Sequence, residues 1–180
     1  MPDALSPKQL TTEGKDAYQR KDYRAAAQAF QAAAIGFESL GDQLSAAEMM
    51  NNSSVAWLQS GDGVAALAAV VGTEIIFGQA GDIRRQAMAI SNQAAALEAL
   101  GRYDEFANAY AKSADLFKDL GEMDLRAVVL RSLSAVQLRL GRQLEALASM
   151  QAGLDGVQKP TPKQKLVKKL LKSPFSVLGR

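Results

Sequence analysis

The 180-residue sequence contains no cysteine and no histidine. Without cysteine there are no disulfides and no thiolate nucleophiles, and the loss of both residue types removes the usual zinc ligands. Histidine is also the commonest general base near neutral pH. The glycines are separated by whole predicted helices, so no glycine-rich phosphate loop is present. We therefore expect a protein that is not an enzyme and holds neither a cofactor nor a metal.

Aromatic residues make up only 6% of the chain, whereas alanine is abundant, and this balance favours closely packed helices over a sheet. No stretch resembles a membrane span. The most apolar one, residues 63–80, is interrupted by Thr73, Glu74 and Gln79 and is better explained as a buried helix. Residues 1–10 lack an apolar core flanked by basic residues, so we expect no signal peptide and a cytoplasmic location.

The net charge of +2 conceals an asymmetry between the body of the chain and its end. Residues 1–155 carry 14 basic and 19 acidic residues, a net charge of −5. Residues 156–180 carry seven basic residues and no acidic residue. The sequence thus predicts a mildly acidic body followed by a strongly basic C-terminal segment.

Single glycines recur every twenty residues, at Gly41, Gly61, Gly81, Gly101, Gly121 and Gly141, and Lys21 holds the same place one step earlier. A glycine between apolar segments is typical of a helix C-terminus, where it adopts the left-handed conformation at little cost. Aspartates directly follow the first three glycines and can cap the next helix. The pattern predicts helices over about 6–20, 23–40, 43–59, 63–79, 83–99, 103–119, 123–139 and 143–157, joined by tight turns.

The repeating unit is a pair of helices with a period of forty residues. One column of the repeat is formed by Phe37, Phe77 and Phe117, and alanine or another apolar residue recurs in several other columns. Small residues allow paired helices to approach closely, and a large residue fills the space between successive pairs. We therefore predict an all-α solenoid of antiparallel helix hairpins, with repeats at about 6–40, 43–80, 83–120 and 123–157.

Several segments resemble the tetratricopeptide repeat family, in its variant with long helices and forty-residue repeats. The resemblance rests on Gly14-Lys15-Asp16-Ala17-Tyr18, on Tyr23, Ala26, Phe30 and Ala33, and on Asn92-Gln93-Ala94 followed by Gly101-Arg102-Tyr103-Asp104-Glu105. It implies a right-handed superhelix over residues 1–158. The first helices of its four repeats would line a concave groove that binds a peptide or a helix of a partner protein.

The resemblance also implies which residues face this groove. They form four polar pairs, forty residues apart: Thr11-Thr12, Asn51-Asn52, Ser91-Asn92 and Arg131-Ser132. Asparagine amides both donate and accept hydrogen bonds, so Asn51, Asn52 and Asn92, together with Ser91, could grip a peptide backbone. Alternatively, these amides hydrogen-bond neighbouring helices. The resemblance places Lys15 and Arg139 in the groove as well. The cations Lys15, Arg131 and Arg139 would receive acidic groups of the partner, or else be solvated or paired with a nearby acid.

The basic segment 159–180 is predicted to begin with a helix to about Lys172, which carries leucines on one face and Lys163, Lys165, Lys168, Lys169 and Lys172 on much of the rest. This helix could cap the last hairpin, lie on an anionic membrane surface, or bind a polyanion. Nucleic acid is the least favoured of these, because interleaved aromatic residues are missing. Self-association into a homo-oligomer is a further expectation for such a solenoid.

Two interpretations stay open at single positions. Arg84 and Arg85 lie in the first turn of a predicted helix, where the dipole disfavours positive charge, which suggests a contact for them. Glu74 is either a surface residue or a buried acid at a helix interface.

Overall fold

The computed structural model describes residues 5–157 and 159–172, of which residues 170–172 are described by their backbone alone. This part of the chain is all-helical, as the sequence predicts, and contains no strand. Its helices are α1 Pro7–Gln19, α2 Tyr23–Ser39, α3 Gln43–Gln59, α4 Gly63–Val70, α5 Thr73–Gln79, α6 Ile83–Ala99, α7 Tyr103–Asp119, α8 Met123–Arg139, α9 Gln143–Leu154 and α10 Pro162–Lys172. A boundary between Ala109 and Tyr110, within α7, divides the chain into two compact units.

The recurring glycines end helices in the way the sequence predicts. All six have a positive φ, and Lys21 shares this conformation with a φ of 63°. At Gly41, for example, the N–H group donates to the carbonyl of Glu38, and the N–H group of Asp42 donates to the carbonyl of Phe37, both at 2.9 Å. This paired arrangement satisfies carbonyls at the end of α2 that would otherwise lack a partner.

The aspartates that follow the turns cap the next helices. The carboxylates of Asp42, Asp62 and Asp82 accept hydrogen bonds from backbone N–H groups three residues later, at 2.9–3.0 Å. Asp22 caps α2 in the same manner at 3.3 Å. These bonds supply partners for N–H groups of the first helical turn. Each of these helix starts is therefore determined by a residue next to its own turn.

One predicted helix is broken. Instead of a single helix over residues 63–79, α4 ends at Val70 and α5 begins at Thr73, with a φ of 89° at Gly72. The carboxylate of Glu74 accepts a hydrogen bond from the N–H group of Gly72 at 2.9 Å, and the hydroxyl of Thr73 donates to the carbonyl of Val70 at 2.7 Å. Glu74 is half-buried, and it serves the new helix start rather than a helix interface. The prediction failed because glycine permits the reversal and the next two residues stabilise it.

The predicted end of α9 also differs. This helix stops at Leu154 instead of residue 157, because Asp155 is extended and Gly156 adopts a φ of 87°. The start of α10 agrees with its sequence signal. Thr161 and Gln164 form the reciprocal cap, with the N–H of Thr161 donating to the Gln164 side chain at 2.7 Å. The return bond, from the N–H of Gln164 to the Thr161 hydroxyl, measures 3.3 Å.

In the first unit, α2 packs against α1 and α3, α3 packs against α4, and α5 packs against α6. Helix α6 also contacts α3 and α4. Members of the forty-residue columns form the core here: Ala26, Ala66, Val70 and Phe77 are fully enclosed, and Phe37 packs partly buried against it. Gly14 explains how closely α1 and α2 approach. A Cβ atom at this glycine would lie only 2.7 Å from the Cε1 atom of Phe30. Small residues at the contact and large residues beside it thus form the core, as the sequence predicts.

In the second unit, α8 packs against α9, and α9 contacts α10. The buried residues between α8 and α9 include Leu133, Val136 and Ala146. The hydroxyl of Ser134 donates to the carbonyl of Ala146 at 2.9 Å and joins the two helices by a buried hydrogen bond. A Cβ atom at Gly153 would lie 3.2 Å from the Cβ atom of Leu130, so the absence of a side chain there permits the close contact.

Candidate partner-binding surface

The middle of α3 and the middle of α6 meet through an amide pair. The Nδ2 atom of Asn92 donates to the Oδ1 atom of Asn51 at 2.9 Å, and Asn51 is only 8% exposed. The bond joins two residues of the predicted groove that belong to successive repeats. The structure therefore brings together the amides of these two positions.

The amide pair leaves hydrogen-bonding groups unused. Each asparagine side chain offers two donors and an oxygen with two lone pairs. Within the described chain, Asn51 and Asn92 use one group each, in the bond between them. Asn52 and Ser91 are half-buried beside the pair in sequence, and their side chains make no hydrogen bond to the described residues. Asn51, Asn52, Ser91 and Asn92 together form the asparagine cluster of α3 and α6. The cluster has one hydrogen bond within the protein and unused polar groups that could bond to a partner.

The next two residues of α3 are buried serines, which the sequence did not single out. The hydroxyl of Ser53 donates to the carbonyl of Ala27 at 3.0 Å and links α3 to α2. The hydroxyl of Ser54 is buried without a hydrogen-bond partner. Of the four consecutive polar residues 51–54, Asn51 and Ser53 therefore bond to neighbouring helices, whereas Asn52 and Ser54 have no hydrogen-bond partner among the described residues. Only the first two of the four belong to the predicted groove. Sequence periodicity alone cannot distinguish a polar residue of the groove from one, such as Ser53, whose hydroxyl bonds to a carbonyl of the adjacent helix.

The remaining groove residues of the first unit lie on α1. Thr11 and Thr12 donate their hydroxyl hydrogens to carbonyls four residues earlier in the same helix, at 2.9 and 3.1 Å. Thr11 also lies 3.2 Å from the sulfur of Met49 on α3. Lys15 is exposed and makes no ion pair with the described residues. Of these residues, Lys15 alone keeps its full capacity to bind an acidic partner.

The two predicted groove arginines belong to α8 in the second unit. Arg131 and Arg139 are both exposed, and Arg139 takes part in an interaction within the protein. Eight residues separate them, which corresponds to about 12 Å along a helix. Ser132, the neighbour of Arg131 in the predicted polar pair, is half-buried. Whether these arginines act with the asparagines on one partner stays a prediction.

Arg85 is part of an ion network that links α3 to the start of α6. Its Nε atom lies 2.6 Å from Asp82, its Nη1 atom lies 3.1 Å from Glu48, and the guanidinium stands 5.1 Å from the centroid of the Phe77 ring. The Arg85 backbone N–H and guanidinium, both bonded to the Asp82 carboxylate, lower the pKa of Asp82. The same hydrogen bond to Asp82 raises the pKa of Arg85. The suggested contact at this arginine is therefore internal.

Of the predicted anionic-surface lysines, one is held by the body of the second unit. Lys168 lies 3.3 Å from Asp155 and 3.4 Å from the carbonyl oxygen of Leu154. Lys163, Lys165 and Lys169 are exposed, and the side chain of Lys172 lies outside the described residues. The leucine face of α10 is divided: Val167 is half-buried, whereas Leu166 is 59% exposed.

Two cavities open at irregular points of the fold. One, of about 460 Å³, lies in the first unit beside the break between α4 and α5, where Val71, Gly72 and Thr73 line it. The other, of about 600 Å³, lies in the second unit among α8, α9 and α10. Sequence reasoning missed both, because the first depends on the broken helix and the second on the docking position of α10.

The described residues define an all-α protein with a repeat-like succession of helices. Among them, no helix is both long and apolar enough to cross a bilayer. No group of acidic residues in this part of the chain is arranged as a metal site. Comparison with family models finds no match, and a search of curated proteins finds none either.

Proposed function

We propose that this chain is a tetratricopeptide-like solenoid of four helix hairpins and a C-terminal helix. Its role is that of a non-enzymatic adaptor, which binds a peptide or helix of a partner protein in a concave groove. The buried forty-residue columns and the glycine turns support the repeat architecture. Without a catalytic group in the sequence pattern, recognition is the activity that this surface supports best.

The amide pair carries the proposal. Asn51 and Asn92 project from successive first helices and lie within hydrogen-bonding distance of each other. Asn51 is nearly buried and positions Asn92, so a peptide strand passing over the pair would meet chiefly the half-buried amide of Asn92, which offers a donor and an acceptor to the N–H and C=O groups of the peptide. Asn52 and Ser91 add further polar groups, while Lys15, Arg131 and Arg139 would favour acidic side chains in the partner.

The same amide pair could serve helix packing alone, so the test must separate the two roles. Asn52 is suited to this, because it belongs to the polar pairs but forms no bond with the described chain. Asn108, exposed on α7, is a matched control outside the predicted groove. The experiment is selection of peptides from a displayed library on the immobilised full chain, followed by fluorescence anisotropy with the best binder.

We expect Asn52→Ala and Asn92→Ala to weaken binding of the selected peptide about tenfold each, the loss of a hydrogen bond worth about 1.4 kcal/mol. Asn108→Ala should bind like the original chain. Circular dichroism confirms that all three variants keep their helix content. Equal affinities for every variant, or no enriched peptide at all, would contradict the groove proposal.

A second candidate is binding to an anionic membrane surface or another polyanion through α10. Its support is the exposure of Leu166 beside Lys163, Lys165 and Lys169, a combination that suits the interface of an anionic bilayer. Sedimentation with phosphatidylserine vesicles should be reduced by Leu166→Gln. Leu144→Gln is the control, since Leu144 is 84% exposed on α9 but has no lysine face beside it. Equal sedimentation of both variants would count against this candidate.

A further inference from the structure

The cavity of the second unit is bounded by one face of each of three helices. Ala127, Val128 and Arg131 line it from α8, and Leu154 lines it from α9. From α10, Val167 completes the wall. Its volume of about 600 Å³ falls within the range of small-molecule sites, about 300–1,000 Å³. The cavity is therefore large enough to hold a ligand beyond a few water molecules.

The position of α10 explains why the space remains open. Lys168 ties α10 to the end of α9 through Asp155 and the carbonyl of Leu154. Lys163 and Val167, earlier in α10, line the cavity instead. As a result, apolar side chains on the opposite wall stay incompletely covered, and Val128 is 50% exposed. Covering them with an alkyl chain would remove apolar surface from water.

The charged residues of the lining are predominantly cationic. Arg131, Lys159 and Lys163 face one acid, Asp124, which leaves an excess of two positive charges. Within the described chain, none of the four forms an ion pair. Arg131 and Asp124 are seven residues apart on α8, about 10 Å along the helix, so the acid does not neutralise the arginine directly. An anionic group is thus favoured at this lining, next to an apolar wall.

The geometry points to a binding site for a single-chain anionic amphiphile, a carboxylate joined to an alkyl chain. The carboxylate lies among Arg131, Lys159 and Lys163, and the chain lies against Val128, Leu154 and Val167. A purely apolar ligand would leave the cations without an anionic partner, and a purely ionic ligand would leave the apolar wall exposed to water. The site contains none of the asparagines of α3 and α6, and the one residue it shares with the proposed peptide groove is Arg131.

Decanoate is the probe for this site, titrated into the ¹⁵N-labelled full chain below its micelle-forming concentration. We expect saturable shifts of amide signals from the cavity faces of α8, α9 and α10. Decanol and acetate, which supply only the chain or only the carboxylate, should each bind more weakly. The matched variants are Lys163→Gln, on the lining, and Lys165→Gln, exposed on the same helix but outside it.

Loss of one solvent-exposed charge at the lining should weaken decanoate binding about two- to fivefold in Lys163→Gln and leave Lys165→Gln unchanged. Val128→Trp should abolish saturable binding, because the indole would cover the apolar wall against which the alkyl chain lies. The proposal is overturned if decanoate shifts do not saturate or spread over the whole chain. It is also overturned if decanol binds as tightly as decanoate, or if both lysine variants behave alike.

Discussion

Two buried serines at equivalent repeat positions should respond in opposite ways to the same substitution. Ser54 and Ser134 are eighty residues apart, two periods of the repeat, and both are essentially inaccessible to solvent. Ser134 donates to the carbonyl of Ala146 at 2.9 Å, whereas the hydroxyl of Ser54 has no partner. Ala94, the residue midway between them in the repeat, is also fully buried. The position therefore accepts alanine in this fold.

The expected difference in free energy of unfolding between Ser54→Ala and Ser134→Ala follows from the energy contributions that the two substitutions do not share. Replacing serine by alanine in a helix interior changes helix propensity and removes one oxygen in both cases, so these contributions largely cancel. Ser134→Ala also loses a buried hydrogen bond, worth about 1 kcal/mol net. Ser54→Ala instead removes an unpaired buried hydroxyl, whose desolvation costs about 1–3 kcal/mol. We expect Ser54→Ala to be more stable than Ser134→Ala by at least about 2 kcal/mol.

Urea unfolding monitored by far-ultraviolet circular dichroism measures the two free energies of unfolding. Native-state hydrogen exchange adds a local reading, at amides of α3 for one variant and of α8 for the other. This reading matters because the serines belong to different compact units. The reasoning is refuted if Ser54→Ala loses as much stability as Ser134→Ala, since the hydroxyl of Ser54 would then contribute a favourable interaction.

Three other predictions follow from single contacts. Gly14→Ala should lower the free energy of unfolding by about 1–3 kcal/mol in a urea titration, because its new Cβ would meet Phe30 at 2.7 Å. Gly72→Ala should cost about 1–2 kcal/mol in the same titration, since a φ of 89° disfavours a side chain. Asp82→Asn should reduce the loss of stability in acid, seen as a smaller change in urea midpoint between pH 5 and about 2. The Arg85 backbone N–H and guanidinium lower the pKa of Asp82 in the folded state. In acid the unfolded state therefore binds more protons at this residue, and the free energy of unfolding decreases as the pH decreases.

Each of these expectations has a clear contrary result. Gly78→Ala is the control for Gly14→Ala, because its Cβ would meet only the movable end of the Gln86 side chain. Equal losses for both variants would show that close packing on a ring is not the cause. An unchanged midpoint for Gly72→Ala would mean that the chain repairs the break between α4 and α5. If the urea midpoint of Asp82→Asn falls in acid as much as that of the original chain, the Asp82–Arg85 pair does not contribute to the pH dependence of stability.

The sequence predicts most of the fold because its turn signals are local. A glycine at position 41 and an aspartate at position 42 determine the end of one helix and the start of the next through bonds that span few residues. The break at Gly72 escaped prediction for the opposite reason. Its repeat partners suggest an uninterrupted helix, and only the contacts of Thr73 and Glu74 show that a new helix begins.

The candidate surface could be predicted only as a set of positions. The sequence places Asn51 and Asn92 on successive first helices, but their hydrogen bond depends on the distance and rotation between α3 and α6. These quantities follow from the packing of many side chains. The ion pair of Arg85 with Glu48 could not be predicted for the same reason, because Glu48 lies on another helix.

The turn at Lys21 closes through its own neighbours. The N–H group of Asp22 donates to the carbonyl of Ala17 at 2.9 Å, and that of Lys21 donates to Tyr18 at 3.0 Å. A hairpin with such a turn needs no later part of the sequence to satisfy its connection. On the ribosome, α1 and α2 can therefore pair as soon as both have left the exit tunnel. The apolar face of this hairpin is then covered when Met49 and Ala56 of α3 follow it out of the tunnel, which shortens its exposure to neighbouring nascent chains.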